Sequence, residues 1–168
     1  NNRTKYIILG LWKVGWKAHF CFINMNKLKE IIKTYIPNDI ELLSLKIDSS
    51  SSYIKLTIDS IKDVSINDTA MLAKKIKSDD VIISEFPSGV KLEVGTPGIG
   101  SNLEKTFQFK KNIGREIKLE NKLNNDIISD TYVLSDANEN FIIIDDGINK
   151  NNVEYDRIIS ATVKISFD

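Results

Sequence analysis

The chain has 168 residues, with 23 Lys and Arg against 23 Asp and Glu, and 42% of the residues are hydrophobic. These totals suit one or two compact domains and exclude a disordered or collagen-like chain. A single His and a single Cys exclude an internal disulfide and leave too few soft ligands for a zinc site.

The charges are distributed unevenly along the chain. Residues 1–33 carry seven basic residues and one acidic residue, whereas residues 123–168 carry three basic and nine acidic residues. A neutral chain with an acidic end argues against strong autonomous binding to naked RNA or DNA, because such binding depends on neutralised phosphates. The distribution favours a partner that contains protein.

Residues 1–24 precede Met25 and include an apolar stretch that resembles part of a signal peptide. Lys13 and Lys17 interrupt this stretch, and each would cost about 2.5–3.5 kcal/mol at the centre of a membrane. No small-residue cleavage site follows. We therefore interpret residues 1–24 as an extension outside the fold, and we expect no membrane association.

Residues 25–100 are predicted to form an N-terminal α/β domain in the order helix, strand, strand, helix, strand. Apolar residues at helical spacing predict a first helix that Pro37 ends. A hairpin with a serine-rich tip follows. The second helix is predicted to start at Asn67 or Asp68 and to bury the side chains of Met71, Leu72 and Ile76.

The third strand of this domain is predicted over Val90–Val94, after Gly89. The densest cluster of turn-forming residues in the chain follows it, at residues 95–100. Pro97 and Gly98 are predicted to form a tight turn, since proline fixes φ and glycine accepts a positive φ. A domain boundary is expected here.

Residues 101–168 are predicted to contain a linker and a small antiparallel all-β barrel, which makes the whole chain α+β. Residues 104–112 fit a short helix or an extended segment equally well. The predicted strands are 113–119, 127–134, 141–144 and 161–167, with a turn at Asp145-Asp146-Gly147 and a single helical turn at 157–160.

No pattern in the chain indicates catalysis or a cofactor. His19 is the one imidazole, which leaves no serine or cysteine triad. The glycines at 95, 98 and 100 do not have the spacing of a dinucleotide fingerprint, and no Gly-Lys-Ser/Thr follows as a phosphate loop requires. A nucleotide-dependent enzyme built on this loop is a further alternative. We expect no catalytic, cofactor or metal site.

Candidate partner-binding residues come from three kinds of feature. Glu93 lies between apolar residues of a strand and is expected on the opposite face. A lone exposed carboxylate there is usually solvated, and the alternative is a contact with a partner's lysine or arginine. A basic stretch near the turn could contact phosphates, although such a stretch is more often a solvated face. It includes Lys110, Lys111 and Arg115. The pair Asp145 and Asp146 lacks the further oxygen ligands of a calcium loop and favours turn chemistry.

Several segments in order resemble the ribosome maturation factor RimP family. The most specific is Leu92-Glu93-Val94-Gly95-Thr96-Pro97-Gly98-Ile99, which is followed by Ile113-Gly114-Arg115-Glu116-Ile117. Weaker matches are 38–42, 58–59, 64–68 and 158–161. After the Pro-Gly turn the family typically has an acidic residue, arginine and proline, where this chain has Gly100, Ser101 and Asn102, and Gly95 replaces the more usual serine.

The resemblance implies a cytoplasmic, non-enzymatic assembly factor with a C-terminal barrel of the SH3-like or Sm-like type. It would bind the immature small (30S) ribosomal subunit through a ribosomal protein, with rRNA as a further candidate contact. Ribosomal proteins are basic, so the acidic end of the chain offers complementary charge. We expect a monomer whose partner surfaces comprise Glu93, Thr96, Pro97, Gly98, Lys110, Lys111, Arg115, Asp145, Asp146, Glu154 and Asp156. A direct RNA-binding module with an Sm-like barrel is the alternative.

Overall fold

The computed structural model describes residues 25–124 and 126–165. The predicted extension at 1–24 and the end of the predicted last strand at Phe167 lie outside these residues. The chain forms two compact units. The first comprises the described residues up to Ile58 together with Ser65–Gly95, and the second comprises Asp59–Val64 and the described residues from Thr96 onward. Helices and two sheets confirm the α+β class.

The first unit combines helices with a three-stranded sheet in the order β1-β2-β3. Strands β2 and β3 are parallel, whereas the short connection between β1 and β2 makes them a hairpin. The elements are α1 (25–34), β1 (Glu41–Asp48), β2 (Tyr53–Asp59), α2 (Ile66–Lys77), α3 (Asp80–Glu85) and β3 (Lys91–Gly95). Helix α3 was not predicted.

Helix α2 differs from the prediction in its N-cap and in the exposure of Met71. Its N-cap is Ser65, whose hydroxyl accepts the backbone N–H of Asp68 while the Asp68 carboxylate accepts the backbone N–H of Ser65. The predicted cap at Asn67 or Asp68 is therefore wrong, because Asp68 is the third residue of this capping box. Leu72 and Ile76 are buried as predicted, but Met71 is 59% exposed.

The second unit contains helix α4 and a five-stranded antiparallel sheet in the order β7-β6-β5-β4-β8. The short helix at 104–112 was one of two predicted alternatives. The elements are α4 (Thr106–Lys111), β4 (Glu116–Leu123), β5 (Asp126–Ala137), β6 (Phe141–Asp145), β7 (Lys150–Glu154), a 3-10 turn (Tyr155–Arg157) and β8 (Ile158–Val163).

Several details of the second unit differ from the prediction; strand β4, for example, spans Glu116–Leu123 and not 113–119. Strand β7 was not predicted, because Lys150-Asn151-Asn152-Val153-Glu154 has a single apolar residue and no alternation. The single helical turn lies at Tyr155–Arg157, earlier than predicted, and residues 158–160 belong to β8. A closed barrel is not confirmed, since β7 and β8 are the two edges of the sheet in the described chain.

The core of the second unit is built from the inward faces of the sheet and from α4. Phe109 of α4 is 2% exposed and meets the ring of Tyr155 edge to face, with ring centroids 5.4 Å apart. The other buried members include Ile117, Leu119, Leu134, Ile142, Ile144, Val153 and Ala161. Among the described residues, no helix is long and apolar enough to cross a membrane.

Candidate partner-binding site

A cleft of about 730 Å³ opens on the second unit. It is lined by residues of the 59–64 segment, by the Pro-Gly turn and the segment that follows it, by α4 and the residues after it up to Glu116, and by the end of β8. Its charged lining residues are three acidic and three basic side chains, so the cleft is electrically balanced. They are Asp59, Asp63, Lys111, Arg115, Glu116 and Lys164.

The charges in the cleft are largely engaged with one another. The Lys111 ammonium lies 3.2 Å from Asp59 Oδ1 and 3.5 Å from Asp63 Oδ1, and it also donates to the backbone oxygen of Ser60. Asp59 is 8% exposed, and its second oxygen accepts the Gln108 side-chain N–H at 3.2 Å. A buried carboxylate is stable only with such partners, so Lys111 stabilises the buried charge of Asp59.

The segment after the Pro-Gly turn is fixed to the edge of β8 by two hydrogen bonds. The side-chain oxygen of Asn102 accepts the backbone N–H of Ala161 at 2.7 Å, and the backbone N–H of Leu103 donates to the Ala161 oxygen at 2.7 Å. Asn102 stands where the RimP-like pattern has proline, which has no side-chain acceptor. The departure from that pattern therefore supplies a contact that stabilises this wall.

Apolar side chains stand at the mouth of the cleft. Ile99, which follows the Pro-Gly turn, is 86% exposed, and Ile165 is 46% exposed. A partner side chain that covers Ile99 and Ile165 would leave the ion pairs of the cleft intact.

The cleft gathers part of the predicted site. Thr96, Pro97, Gly98, Lys111 and Arg115 line it. The Arg115 guanidinium donates to Asn112 Oδ1 at 3.1 Å. These five residues lie within the second unit, so the structure brings them together from both the Pro-Gly turn and the basic stretch.

Lys110 and Glu93 lie elsewhere. The Lys110 ammonium pairs with Glu139 at 2.5 Å. Glu93 lies in the first unit and is exposed as predicted, where it accepts from Lys55 at 2.8 Å and from the Tyr53 hydroxyl at 2.6 Å. Lys55 and then Tyr53 hold the pKa of the Glu93 carboxyl below its ordinary value.

The four predicted acidic residues of the second unit do not form one cluster. Asp145 and Asp146 lie at the turn between β6 and β7, whereas Glu154 pairs in register with Phe141 at the other end of this hairpin. Four residues of strand separate the two ends, roughly 13 Å. Asp156 lies beyond Glu154 in the 3-10 turn.

Asp145 and Asp146 serve the turn, as their pattern favoured. The Asp145 carboxylate accepts the Gly147 N–H, and that of Asp146 accepts the N–H groups of Ile148 and Asn149. The bonds from Asn149 and Ile148 lower the pKa of Asp146. Within residues 25–124 and 126–165, no group of three or more His, Cys, Asp or Glu side chains is placed to hold a metal ion.

Sequence reasoning missed Asp59, Gln108 and Asn102, although each positions a wall of the cleft. Asp59 belonged to a matched segment but had no predicted partner. Gln108 and Lys111 lie 49 and 52 positions from Asp59 along the chain, so no local spacing relates them. Asn102 was noted as a departure without a partner being assigned.

The described residues thus form an α+β protein of two compact units, and the second unit carries a surface cleft whose charges are largely paired. No protein-family model matches the chain. Over 102 residues the chain is 33% identical to the ribosome maturation factor RimP of Christiangramia forsetii (strain DSM 17595 / CGMCC 1.15422 / KT0803). The aligned region covers 61% of this chain and 63% of that protein. This similarity supports the resemblance found in the sequence.

Proposed function

We propose that this protein is a ribosome maturation factor that binds the immature small ribosomal subunit without catalysing a reaction. The observation that carries the proposal is the 33% identity with a RimP protein over 102 residues. A cytoplasmic, monomeric protein is expected from this role. The cleft is consistent with the proposal, because five of its six ionisable side chains form ion pairs with one another and Arg115 donates to Asn112.

The second unit, in this proposal, is a barrel of the SH3-like type that provides the partner-binding surface. Support comes from β5, which pairs with β4 over residues 126–133 and with β6 over residues 133–137, with an irregular register between Leu134 and Asp136. A long strand that changes neighbours at a bulge is how small sheets curve towards closure. A 3-10 turn directly before the last strand, Tyr155–Arg157, is also consistent with such a barrel.

A ribosomal protein is proposed as the main contact, with rRNA contributing less. The acidic end of the chain complements a basic protein. The basic stretch is less suited to RNA than its composition suggests, because Lys110 and Lys111 are held by carboxylates and Phe109 is buried in the core. Direct RNA binding would require these cations and aromatic rings to face the nucleic acid.

Complementation tests the proposed function. The full chain is expressed in a bacterium from which the RimP gene has been deleted, and the profile of ribosomal subunits is measured on a sucrose gradient. The proposal expects the chain to restore growth and to reduce the excess of free, immature small subunits. A chain that is produced and folded but leaves both unchanged, when the host's own RimP corrects them, would contradict it.

A further inference from the structure

Among the residues that the structure describes, strand β5 has a free edge along its first half. Residues 126–133 pair with β4, but β6 pairs with β5 only from Val133 onward. In the described part of the chain, the edge of β5 opposite β4 therefore has no strand beside residues 126–132. Such an edge is a template for pairing with another chain.

The direction of the backbone groups along this edge follows from Leu134. Its N–H donates to the Arg115 oxygen and its oxygen accepts the Gly114 N–H, so both groups point towards the side of β4. Backbone groups alternate in direction along a strand, and the pairing with β4 is regular from Leu123↔Asp126 to Glu116↔Val133. The groups of Ile127, Ser129 and Thr131 consequently point to the free side.

One of these three donors is already occupied. The Thr131 N–H donates to the Asp130 carboxylate at 2.7 Å. The free edge thus offers the N–H groups of Ile127 and Ser129 and the carbonyl oxygens of all three residues. Ile127 is 65% exposed and Ser129 is exposed, so a partner strand has access to them.

The side chains beside this edge indicate the charge of the occupant. Asp126, Ile128 and Asp130 lie on one face of β5, because alternate residues share a face. Both carboxylates are exposed. An extended segment paired with this edge would place its own alternate side chains next to Asp126 and Asp130, where lysine or arginine is favoured and an acidic residue is opposed.

We propose that residues 126–131 of β5 accept an extended basic segment of a protein partner by strand addition. This inference rests on the proposed function for its setting, since ribosomal proteins are basic. The backbone groups of Ile127 and Ser129 supply affinity and the two carboxylates supply selectivity. A second copy of this chain is a poorer occupant, because antiparallel pairing centred on Ser129 would set each Asp130 opposite Ile128 of the other copy.

The probe is a capped eight-residue peptide of alternating valine and lysine, titrated into the full chain labelled with ¹⁵N. We expect amide shifts confined to β5 and slowed hydrogen exchange at Ile127 and Ser129. A peptide of alternating valine and glutamate should bind at least tenfold more weakly. Equal binding of the two peptides, or lysine-peptide binding without protection at Ile127 and Ser129, would overturn the proposal.

Ser129→Pro and Ser129→Ala form a matched pair. Both remove the hydroxyl, but only proline removes the N–H that points to the free side, and it leaves the hydrogen bonds to β4 in place. We expect at least tenfold weaker binding for the proline variant and unchanged binding for the alanine variant. If the proline variant unfolds, the double variant Asp126→Asn with Asp130→Asn replaces it as the test. We expect this folded variant to bind the lysine peptide severalfold more weakly. Unchanged peptide affinity would overturn the proposal.

Two further outcomes separate this inference from others. Concentration-dependent dimerisation that Ser129→Pro abolishes would assign the edge to a second copy and overturn the proposed occupant. If the lysine peptide binds at this edge while the chain fails the complementation test, strand addition holds and the ribosomal function fails. If complementation succeeds and the peptide does not bind, the ribosomal function holds and strand addition fails.

Discussion

The side-chain oxygen of Asn102 lies 2.7 Å from the backbone nitrogen of Ala161, 59 positions later in the chain. Ala161 is fully buried in β8, so its N–H has no access to water. The pair joins the segment after the Pro-Gly turn to the edge of the second sheet. Together with the bond from the Leu103 N–H to the Ala161 oxygen, it fixes one wall of the candidate site.

Replacing Asn102 by alanine is predicted to destabilise the second unit. The Ala161 N–H would be left buried without an acceptor, which typically costs about 1–3 kcal/mol. Denaturant unfolding and hydrogen exchange at Ala161 measure the effect. Asn102→Asp is the matched control because it retains the acceptor, and Ala161 should remain protected in it. Fast exchange in both variants would contradict this account of the contact.

Lys111→Met and Lys110→Met are predicted to differ although the two lysines are neighbours in α4. Lys111 compensates the buried carboxylate of Asp59, and losing a hydrogen bond to such a charged group costs about 1.5–3 kcal/mol. Lys110 makes an exposed ion pair with Glu139, which is worth about 0–1 kcal/mol. The denaturant midpoints of unfolding are measured for both variants, and that of Lys111→Met should be the lower. Equal midpoints would show that Asp59 does not depend on Lys111.

Acid titration is predicted to weaken the β1–β2 turn through Asp48. Hydrogen bonds from the hydroxyls of Ser50 and Ser51 and from their backbone N–H groups lower the pKa of Asp48 from 3.8 to about 2. A carboxyl whose pKa is lower in the folded state stabilises the fold above its unfolded pKa. That contribution should be lost as the pH falls from about 3.8 towards 2.

The difference in unfolding free energy between the wild type and Asp48→Asn measures this contribution of Asp48. It should be constant above the unfolded pKa and should shrink as the pH falls towards 2. A difference that stays constant down to pH 2 would mean that Asp48 is not held as described.

Much of the fold was predictable from local chemistry. The β6–β7 turn was predictable because Asp145 and Asp146 bond to N–H groups two and three residues later, and Gly147 accepts a φ of +88°. The exposure of Glu93 was predictable because successive side chains of a strand point to opposite faces, and its two neighbours are apolar. Such features depend on neighbours in the sequence, which a single chain displays directly.

The walls of the candidate site were not predictable in this way. Asp59 meets Lys111 and Asn102 meets Ala161 across 52 and 59 positions, and no spacing rule connects residues so far apart. Strand β7 lies at the edge of its sheet and carries polar residues, so it lacks the apolar alternation by which strands are recognised. Met71 had helical spacing but faces outward.

The two ends of the β6–β7 hairpin are predicted to contribute separately to partner binding. Asp145→Asn with Asp146→Asn keeps the oxygen acceptors of the turn and removes two charges. Glu154→Gln with Asp156→Asn does the same at the other end. Each variant should associate more slowly with small subunits at low salt and approach the wild type as salt rises. The association rate of each variant is measured at two salt concentrations. If both variants associate as fast as the wild type at low salt, these four acidic residues do not lie in the interface.

Cosedimentation tests the central claim most directly. The full chain is mixed with immature small subunits, mature small subunits or large subunits, and each mixture is separated on a sucrose gradient. The account predicts that the chain travels with immature small subunits, and that protein-free small-subunit rRNA retains much less of it at moderate salt. Equal retention on naked rRNA, or no retention on any small subunit, would contradict it.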